Sequence, residues 1–209
     1  KFKTKILNLS ELNTMLDGST SELSLLSISG VNALIFMERI LKNTKNLGLV
    51  NKESIISIGH ILKKLTKKYK TNIFPLDSEH YSLFDYFKKN RLTNFKKIYL
   101  TATGGPFFNK KNINLKNISI KEATNHPKWK MGFKNSIDSA TMVNKCLEVI
   151  EAHYLFNIPF NKLDIIIHPE ALIHSVIENR NYTSNLNYFY PDMAIPIINF
   201  LNISISKKS

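Results

Sequence analysis

The sequence carries one cysteine, Cys146, among its 209 residues. A single thiol excludes an intrachain disulfide framework and suits a reducing compartment. Glycine and proline number only seven each. The glycines stand where neither G-x-G-x-x-G nor G-x-x-x-x-G-K-[ST] can form, so both common phosphate-loop signatures are absent. No run approaches the ~18 consecutive apolar residues that a bilayer-spanning helix needs, and no membrane partner is expected. The start, KFKTK, leads into no long apolar run and does not read as a signal peptide. It also lacks an initiator Met, which allows the expectation that the chain is a piece of something longer. Neither an internal repeat nor a low-complexity linker is apparent.

Arginine is scarce as well. Of 29 basic residues only Arg39, Arg91 and Arg180 are arginines, although the formal net charge is +13. A charge that positive first suggests a nucleic-acid partner. Nucleic-acid readers favour the bidentate guanidinium fork, however, and here the charge is scattered lysine. The one local run, Lys63, Lys64, Lys67, Lys68 and Lys70, closes a predicted helix, where cations offset the carbonyl end of the dipole. The expectation is a solvated lysine-rich surface and no nucleic acid.

What is present is the composition of a folded protein, with 43% hydrophobic and 22% charged residues. The length allows one large domain or two small ones. Short apolar runs alternate with helical stretches, which predicts an α/β fold. Strands are expected at 23–29, 47–50, 72–76, 97–101, 164–167, 172–178 and 185–190. Helices are expected at 32–41, 52–68, 81–87, 120–124, 138–156 and 194–201. In the second helix Ile55, Ile58, Leu62 and Leu65 form one apolar stripe. The stretch 107–133 is long, polar and poorly periodic, and is expected to be a mobile excursion. Chemistry-bearing residues thicken after Asp77, which sets an expected domain change there.

Three constellations could carry chemistry. Asp77-Ser78-Glu79-His80 follows a predicted strand, and sites in open α/β sheets lie beyond strand carboxyl ends. Two carboxylates at period two would make a hard oxygen site for Mg²⁺ or Mn²⁺. The same residues also suit a helix start, with an Asp N-cap and a Glu in the first turn. In the predicted helix 138–156, Val143, Leu147, Ile150 and Tyr154 form an apolar stripe, and Asn144, Glu148 and Glu151 a polar one beside it. With Lys145 that side suits either a metal with an anionic ligand or a surface salt-bridge face. Thr103-Gly104-Gly105-Pro106 closes another strand with a small hydroxyl-bearing turn, a phosphate contact or an ordinary loop. Trp129, the sole tryptophan, sits in the polar stretch His126 to Gly132, as a closing ring or a packing anchor. His168 and His174 are six apart, which matches no zinc spacing, and both are expected to be structural. Cys146 is expected to pack.

Taken together, Asn51-Lys52-Glu53-Ser54, Pro75 to His80, His126 to Gly132, Asp138 to Ala152, Thr103 to Phe107, His168-Pro169, Ile173-His174-Ser175 and Pro191-Asp192-Met193 resemble the 1-deoxy-D-xylulose 5-phosphate reductoisomerase family. The similarity runs from about Ser27 to Ile197 in the family's order. The resemblance implies a partial Rossmann-like NADPH-binding domain, residues 1–76, followed by an α/β catalytic domain with a mixed open sheet, residues 77–209. It implies conversion of 1-deoxy-D-xylulose 5-phosphate to 2-C-methyl-D-erythritol 4-phosphate in the non-mevalonate isoprenoid route. The ketose skeleton rearranges with the aid of Mn²⁺, Mg²⁺ or Co²⁺, and NADPH then reduces the resulting aldehyde.

Carried over residue by residue, the resemblance makes Asp77, Glu79 and Glu148 the metal ligands. Lys52, Glu79 and Glu148 become catalytic. Lys52, Ser78, Glu79, Thr103, His126, Trp129, Ser139, Asn144, Lys145 and Glu148 become substrate contacts, and Asn51, Glu53 and Gly132 lie near the cofactor. A homodimer in a bacterial cytoplasm or a plastid is implied. The chain departs from the family's pattern in four ways. Thr103 replaces the usual Ser, and Cys146 the usual Gly. The family's Gly-rich NADPH fingerprint and its C-terminal helical domain have no counterpart here. The chain alone is therefore expected not to turn over, with NADPH oxidation as the check. A non-catalytic relative and a basic nucleic-acid-binding protein are the alternatives.

Overall fold

The structure is a computed structural model that describes residues 4–90, 95–111, 113–128 and 131–205. Trp129 lies outside the described residues. Two compact units divide the chain, Lys1–Pro75 with Ile197–Ser209, and Leu76–Pro196.

The first unit opens with helix α1, Leu9–Gly18, which the apolar pattern does not announce. Its start is nonetheless written in the sequence. Asn8 accepts from the Glu11 amide and Glu11 accepts from the Asn8 amide, a reciprocal capping box. Strand β1, Ser21–Leu26, helix α2, Leu34–Lys42, strand β2, Thr44–Leu49, helix α3, Lys52–Tyr69, and strand β3, Asn72–Pro75, then alternate. The three strands are parallel in the order β1-β2-β3. Such pairing requires the helical crossovers that α2 and α3 supply. Buried residues include Met37 and Leu41 of α2, Leu47 and Leu49 of β2, and Ile55 and Leu62 of α3. Helix α3 ends at Lys70, whose left-handed backbone returns its amide to the Thr66 carbonyl.

The second unit contains helix α4, Ser78–Lys89, strand β4, Phe95–Ala102, helices α5, Ile120–Thr124, α6, Phe133–Ala140, and α7, Val143–Phe156, and strands β5, Leu163–Ile167, β6, Ile173–Asn179, and β7, Ser184–Tyr188. Its sheet order is β5-β4-β6-β7, with β4 and β5 parallel and the other pairs antiparallel. The fold is thus α/β, with one parallel and one mixed sheet. Leu83 of α4, Ile98 and Leu100 of β4, Ala152 of α7, Leu163 of β5 and Ile177 of β6 share one core. A last helix, α8, Ala194–Ile205, begins in this unit, and its residues from Ile197 on cluster with the first. There Phe200 is buried with its ring 5.4 Å from Phe74. Among the described residues no helix is long and apolar enough to cross a membrane.

Several boundaries differ from expectation for identifiable reasons. The predicted helix 138–156 is two helices, because Met142 takes a left-handed conformation, φ 62°, between α6 and α7. The predicted stripe of α7 is not its buried side. Val143 is exposed, while Lys145, Glu148, Glu151 and Ala152 are buried. Cys146 is exposed rather than packed. The strand expected at 23–29 ends at Leu26, and the turn at Gly30–Ala33 is a short 3-10 helix before α2. Asp77 does not continue the strand. It is the N-cap residue of α4, although its side chain makes no capping bond.

Candidate active site

Two helix segments of the second unit, the first turn of α4 and the middle of α7, bring the acidic residues together. Asp77 stands at the N-cap position, so its carboxylate is one turn from the side chain of His80. Glu79 lies in the first turn of the same helix. Glu148 projects from α7 and is 2% exposed. Carboxylate oxygens of Asp77, Glu79 and Glu148 all lie within 4.8 Å of one another. Three such oxygens form a hard donor set that suits Mg²⁺ or Mn²⁺.

Lys145 supplies positive charge at the same place. Its ammonium donates to Glu79 Oε1 and, at 2.5 Å, to Glu148 Oε2. The other Glu148 oxygen accepts from Asn144 Nδ2, and Ser78 Oγ donates to Glu79 Oε2. For Glu79 and Lys145, burial is the first influence and neighbouring charge the second. Burial raises the Glu79 pKa, Lys145 opposes it, and Glu148 and Asp77 reinforce it, leaving Glu79 at about 7. Burial pulls the Lys145 pKa down, but Glu148 and Glu79 outweigh it and hold the ammonium above its ordinary value. The lysine is therefore a retained cation, already seated between two of the donors that a metal would use.

A second group of expected residues assembles around the turn after β4. Thr103 Oγ1 and His126 Nε2 are 3.0 Å apart. Burial, then the Lys145 charge, lowers the His126 pKa, so its imidazole is neutral and within electrostatic reach of the first group. Gly105, at φ 73°, lies so close to α6 that a Cβ there would stand 2.6 Å from the Ser139 carbonyl oxygen. Only glycine permits that approach. The close approach sets the Thr103 turn against Ser139, and the hydroxyls and imidazole suit a phosphate.

The remaining expected residues stand elsewhere. Asn51, Lys52 and Glu53 belong to the first unit, where Asn51 caps α3 by accepting from the Ser54 amide at 2.6 Å. Lys52 is buried and Glu53 lies in the first turn. Gly132 is the exposed N-cap residue of α6. His168 and His174, expected to be structural, both make local contacts, and the charges of Lys145 and Asp77 reach His174. His168 Nε2 accepts from the Leu172 amide, and His174 stacks on Phe189 at 3.8 Å with Nε2 3.0 Å from that residue's carbonyl oxygen.

Two further residues join this cluster: Glu151, a member of the expected polar stripe, and His80, which the sequence placed beside the acidic pair without a role of its own. His80 and Glu151 are both fully buried beside Asp77, and the three can be grouped as a second set of potential donors. Burial lowers the His80 pKa, but Glu151, Asp77 and Glu148 raise it further, to about 9. The signals for these two residues were their spacings, three positions after Asp77 and three after Glu148.

The chain is also similar to known proteins. Residues 73–156 match the family described as the 1-deoxy-D-xylulose 5-phosphate reductoisomerase C-terminal domain. The 1-deoxy-D-xylulose 5-phosphate reductoisomerase of Clostridium kluyveri is 42% identical over 200 residues, 95% of this chain and 52% of that protein. The enzyme of Pelagibacter ubique is 42% identical over 208 residues, 99% of this chain and 54% of that one. A crystal structure of DOX-P reductoisomerase in complex with NADPH, fosmidomycin and magnesium superposes with a TM-score of 0.83 at 34% identity, covering 93% of this chain and 50% of that one. The Zymomonas mobilis 1-deoxy-D-xylulose 5-phosphate reductoisomerase in complex with NADPH gives 0.75 at 35% identity, with 86% and 46% covered. The chain thus spans about half the length of the curated relatives it matches.

Proposed function

Starting from this resemblance to 1-deoxy-D-xylulose 5-phosphate reductoisomerase, we propose that the chain carries that enzyme's metal- and sugar-phosphate-binding centre. The reaction is rearrangement of 1-deoxy-D-xylulose 5-phosphate and reduction to 2-C-methyl-D-erythritol 4-phosphate in the non-mevalonate isoprenoid route. The observation that carries the reading is the convergence of Asp77, Glu79 and Glu148 within 4.8 Å around the Lys145 ammonium. Residues 1–76 act as part of an NADPH-binding domain and residues 77–209 as the catalytic domain. The parallel βαβαβ order of the first unit supports the former.

Asp77, Glu79 and Glu148 hold the divalent cation. When bound, the cation supplies Lewis acidity to the ketose oxygens, and NADPH supplies hydride. Every other role falls to this chain's side chains. Asn144 and Ser78 fix the carboxylates of Glu148 and Glu79, so the donors hold their spacing. Lys145, relieved of its two carboxylates by a stronger cation, turns its ammonium to the substrate's anionic oxygens. Thr103, His126 and Ser139 orient the phosphate. Trp129 and Lys52 cover and contact the substrate, and Asn51, Glu53 and Gly132 flank the cofactor.

A homodimer suits the sheet. β7 is at its edge, with Leu186 and Tyr188 exposed. The bacterial relatives point to a bacterial cytoplasm. A non-catalytic relative is disfavoured, because the acidic donors and Lys145 are all in place.

Calorimetric titration with 1-deoxy-D-xylulose 5-phosphate tests the reading. Binding is expected only with Mn²⁺ or Mg²⁺ present, and Glu148→Gln is expected to abolish it. Metal-independent binding, or unchanged binding by Glu148→Gln, refutes it.

A further inference from the structure

His80 sits on the α4 side of the acidic cluster, fully buried. Its ring Nε2 is 2.8 Å from the Glu148 carbonyl oxygen, so this nitrogen carries a proton and donates. The opposite nitrogen, Nδ1, then faces Asp77 Oδ1 at 3.6 Å and Glu151 Oε2 at 3.5 Å. These separations are longer than a hydrogen bond, and Nδ1 has no hydrogen-bond partner. The ring is thus anchored at one edge to the α7 backbone and placed at the other between two carboxylates.

This placement spans the two halves of the donor set. Asp77 and Glu79 come with α4, and Glu148 comes with α7. His80 meets the side chain of one donor, Asp77, and the backbone of another, Glu148. Glu151, one turn beyond Glu148, meets the same ring nitrogen as Asp77. Oxygen sites for small divalent ions accept only narrow ranges of donor distance, so whatever sets the α4–α7 spacing sets affinity.

We propose that His80 is a positioning residue for the divalent-metal site, holding Asp77 and the Glu148 turn at the separation the cation needs, with Glu151 as its support. It is not itself a ligand. The proposal rests on the metal-site reading above and is tested separately from it.

Mn²⁺ binding to the chain, followed by electron paramagnetic resonance, reads the effect without turnover. His80→Gln keeps a donor near the Glu148 carbonyl and removes the atom between the carboxylates. It is expected to weaken Mn²⁺ binding about 10- to 100-fold, the range typical of groups that orient metal ligands. Glu151→Gln, nearly isosteric, is expected to weaken it in the same direction and serves if His80→Gln does not fold. His153→Gln, whose parent ring stacks on Phe160 outside the cluster, is expected to leave affinity unchanged. A purely structural role would lower thermal stability in both cluster variants with Mn²⁺ affinity unchanged, and that result overturns the proposal. So does nitrogen coupling in the spin-echo spectrum of bound Mn²⁺, which would make His80 a direct ligand. Failure of the unaltered chain to bind Mn²⁺ overturns the metal-site reading itself.

Discussion

Beyond the first turn of α3, where Lys52 and Ser54 are buried, helices α3 and α7 bury different kinds of surface. In α3 the buried positions include Ile55 and Leu62, members of the apolar stripe that the sequence displays. In α7 the buried positions are Lys145, Glu148, Glu151 and Ala152, while Val143 of the apolar stripe is 44% exposed. Apolar burial needs no partner of particular geometry, because transfer from water is favourable wherever the surface goes. Burial of charge costs several kcal/mol per ion unless opposite charge and hydrogen bonds meet it, so it persists only where a network is built. A helix that turns its charged side inward therefore marks a functional centre, and one that turns its apolar side inward marks a core.

The largest expected effect comes from breaking the α7 network. Lys145→Met takes the ammonium from Glu79 and Glu148. It is expected to lower the unfolding free energy by about 3–5 kcal/mol in metal-free buffer. Excess Mn²⁺ should restore part of that loss, about 2.7 kcal/mol at a hundred times its Kd. Urea denaturation with and without Mn²⁺ measures both quantities. A loss that Mn²⁺ does not recover would mean that the carboxylates do not take up the ion.

Next in size is the matching change in α3. Ile55→Ala removes a fully buried side chain and is expected to cost about 2–5 kcal/mol of stability. Mn²⁺ affinity should stay the same, read by titration of the folded variant. The pair of variants then separates a core helix from a site helix: both lose stability, but only the change in the site helix is expected to alter Mn²⁺ affinity.

A smaller effect follows from Glu79, held at about 7 by burial and neighbouring charge. Below that pH the carboxyl keeps a proton that competes with the cation, and above it the proton is gone. Mn²⁺ affinity is therefore expected to rise as pH increases from 5.5 to 7, by up to about tenfold per unit for one competing proton. It should level off above 7. Titrations at fixed ionic strength check this, with Glu79→Gln expected to flatten the slope as well as to weaken binding.

Much of the fold was legible because it rests on local signals. The stripe of α3 and the run at 72–76 each named an element that the structure contains. The mixed sheet of the second unit was expected from the resemblance, and β4 pairs parallel with β5 and antiparallel with β6. Three features were not legible, each for a physical reason. α1 carries its capping box at Asn8 and Glu11 but only a modest apolar pattern, so periodicity passes over it. The break at Met142 depends on a left-handed non-glycine residue, which composition does not flag. The inward side of α7 is set by α4 across the cluster, a tertiary partner that no window of sequence contains. Asp77, Glu79 and Glu148 were named as ligands through motif resemblance, and Glu151 stood in the polar stripe, whereas the pairing of His80 with Asp77 and Glu151 became visible only when burial put the three together.

The most direct test of the central claim, that the charges buried on α4 and α7 form a divalent-metal site, is the stoichiometry of Mn²⁺ bound at neutral pH by the chain and by Glu148→Gln. One tightly bound ion per chain is expected. Binding at least about hundredfold weaker is expected in Glu148→Gln, with circular dichroism unchanged, since a lost ligand costs no less than a lost orienting group. Equal binding by the two proteins, or none by either, would contradict it.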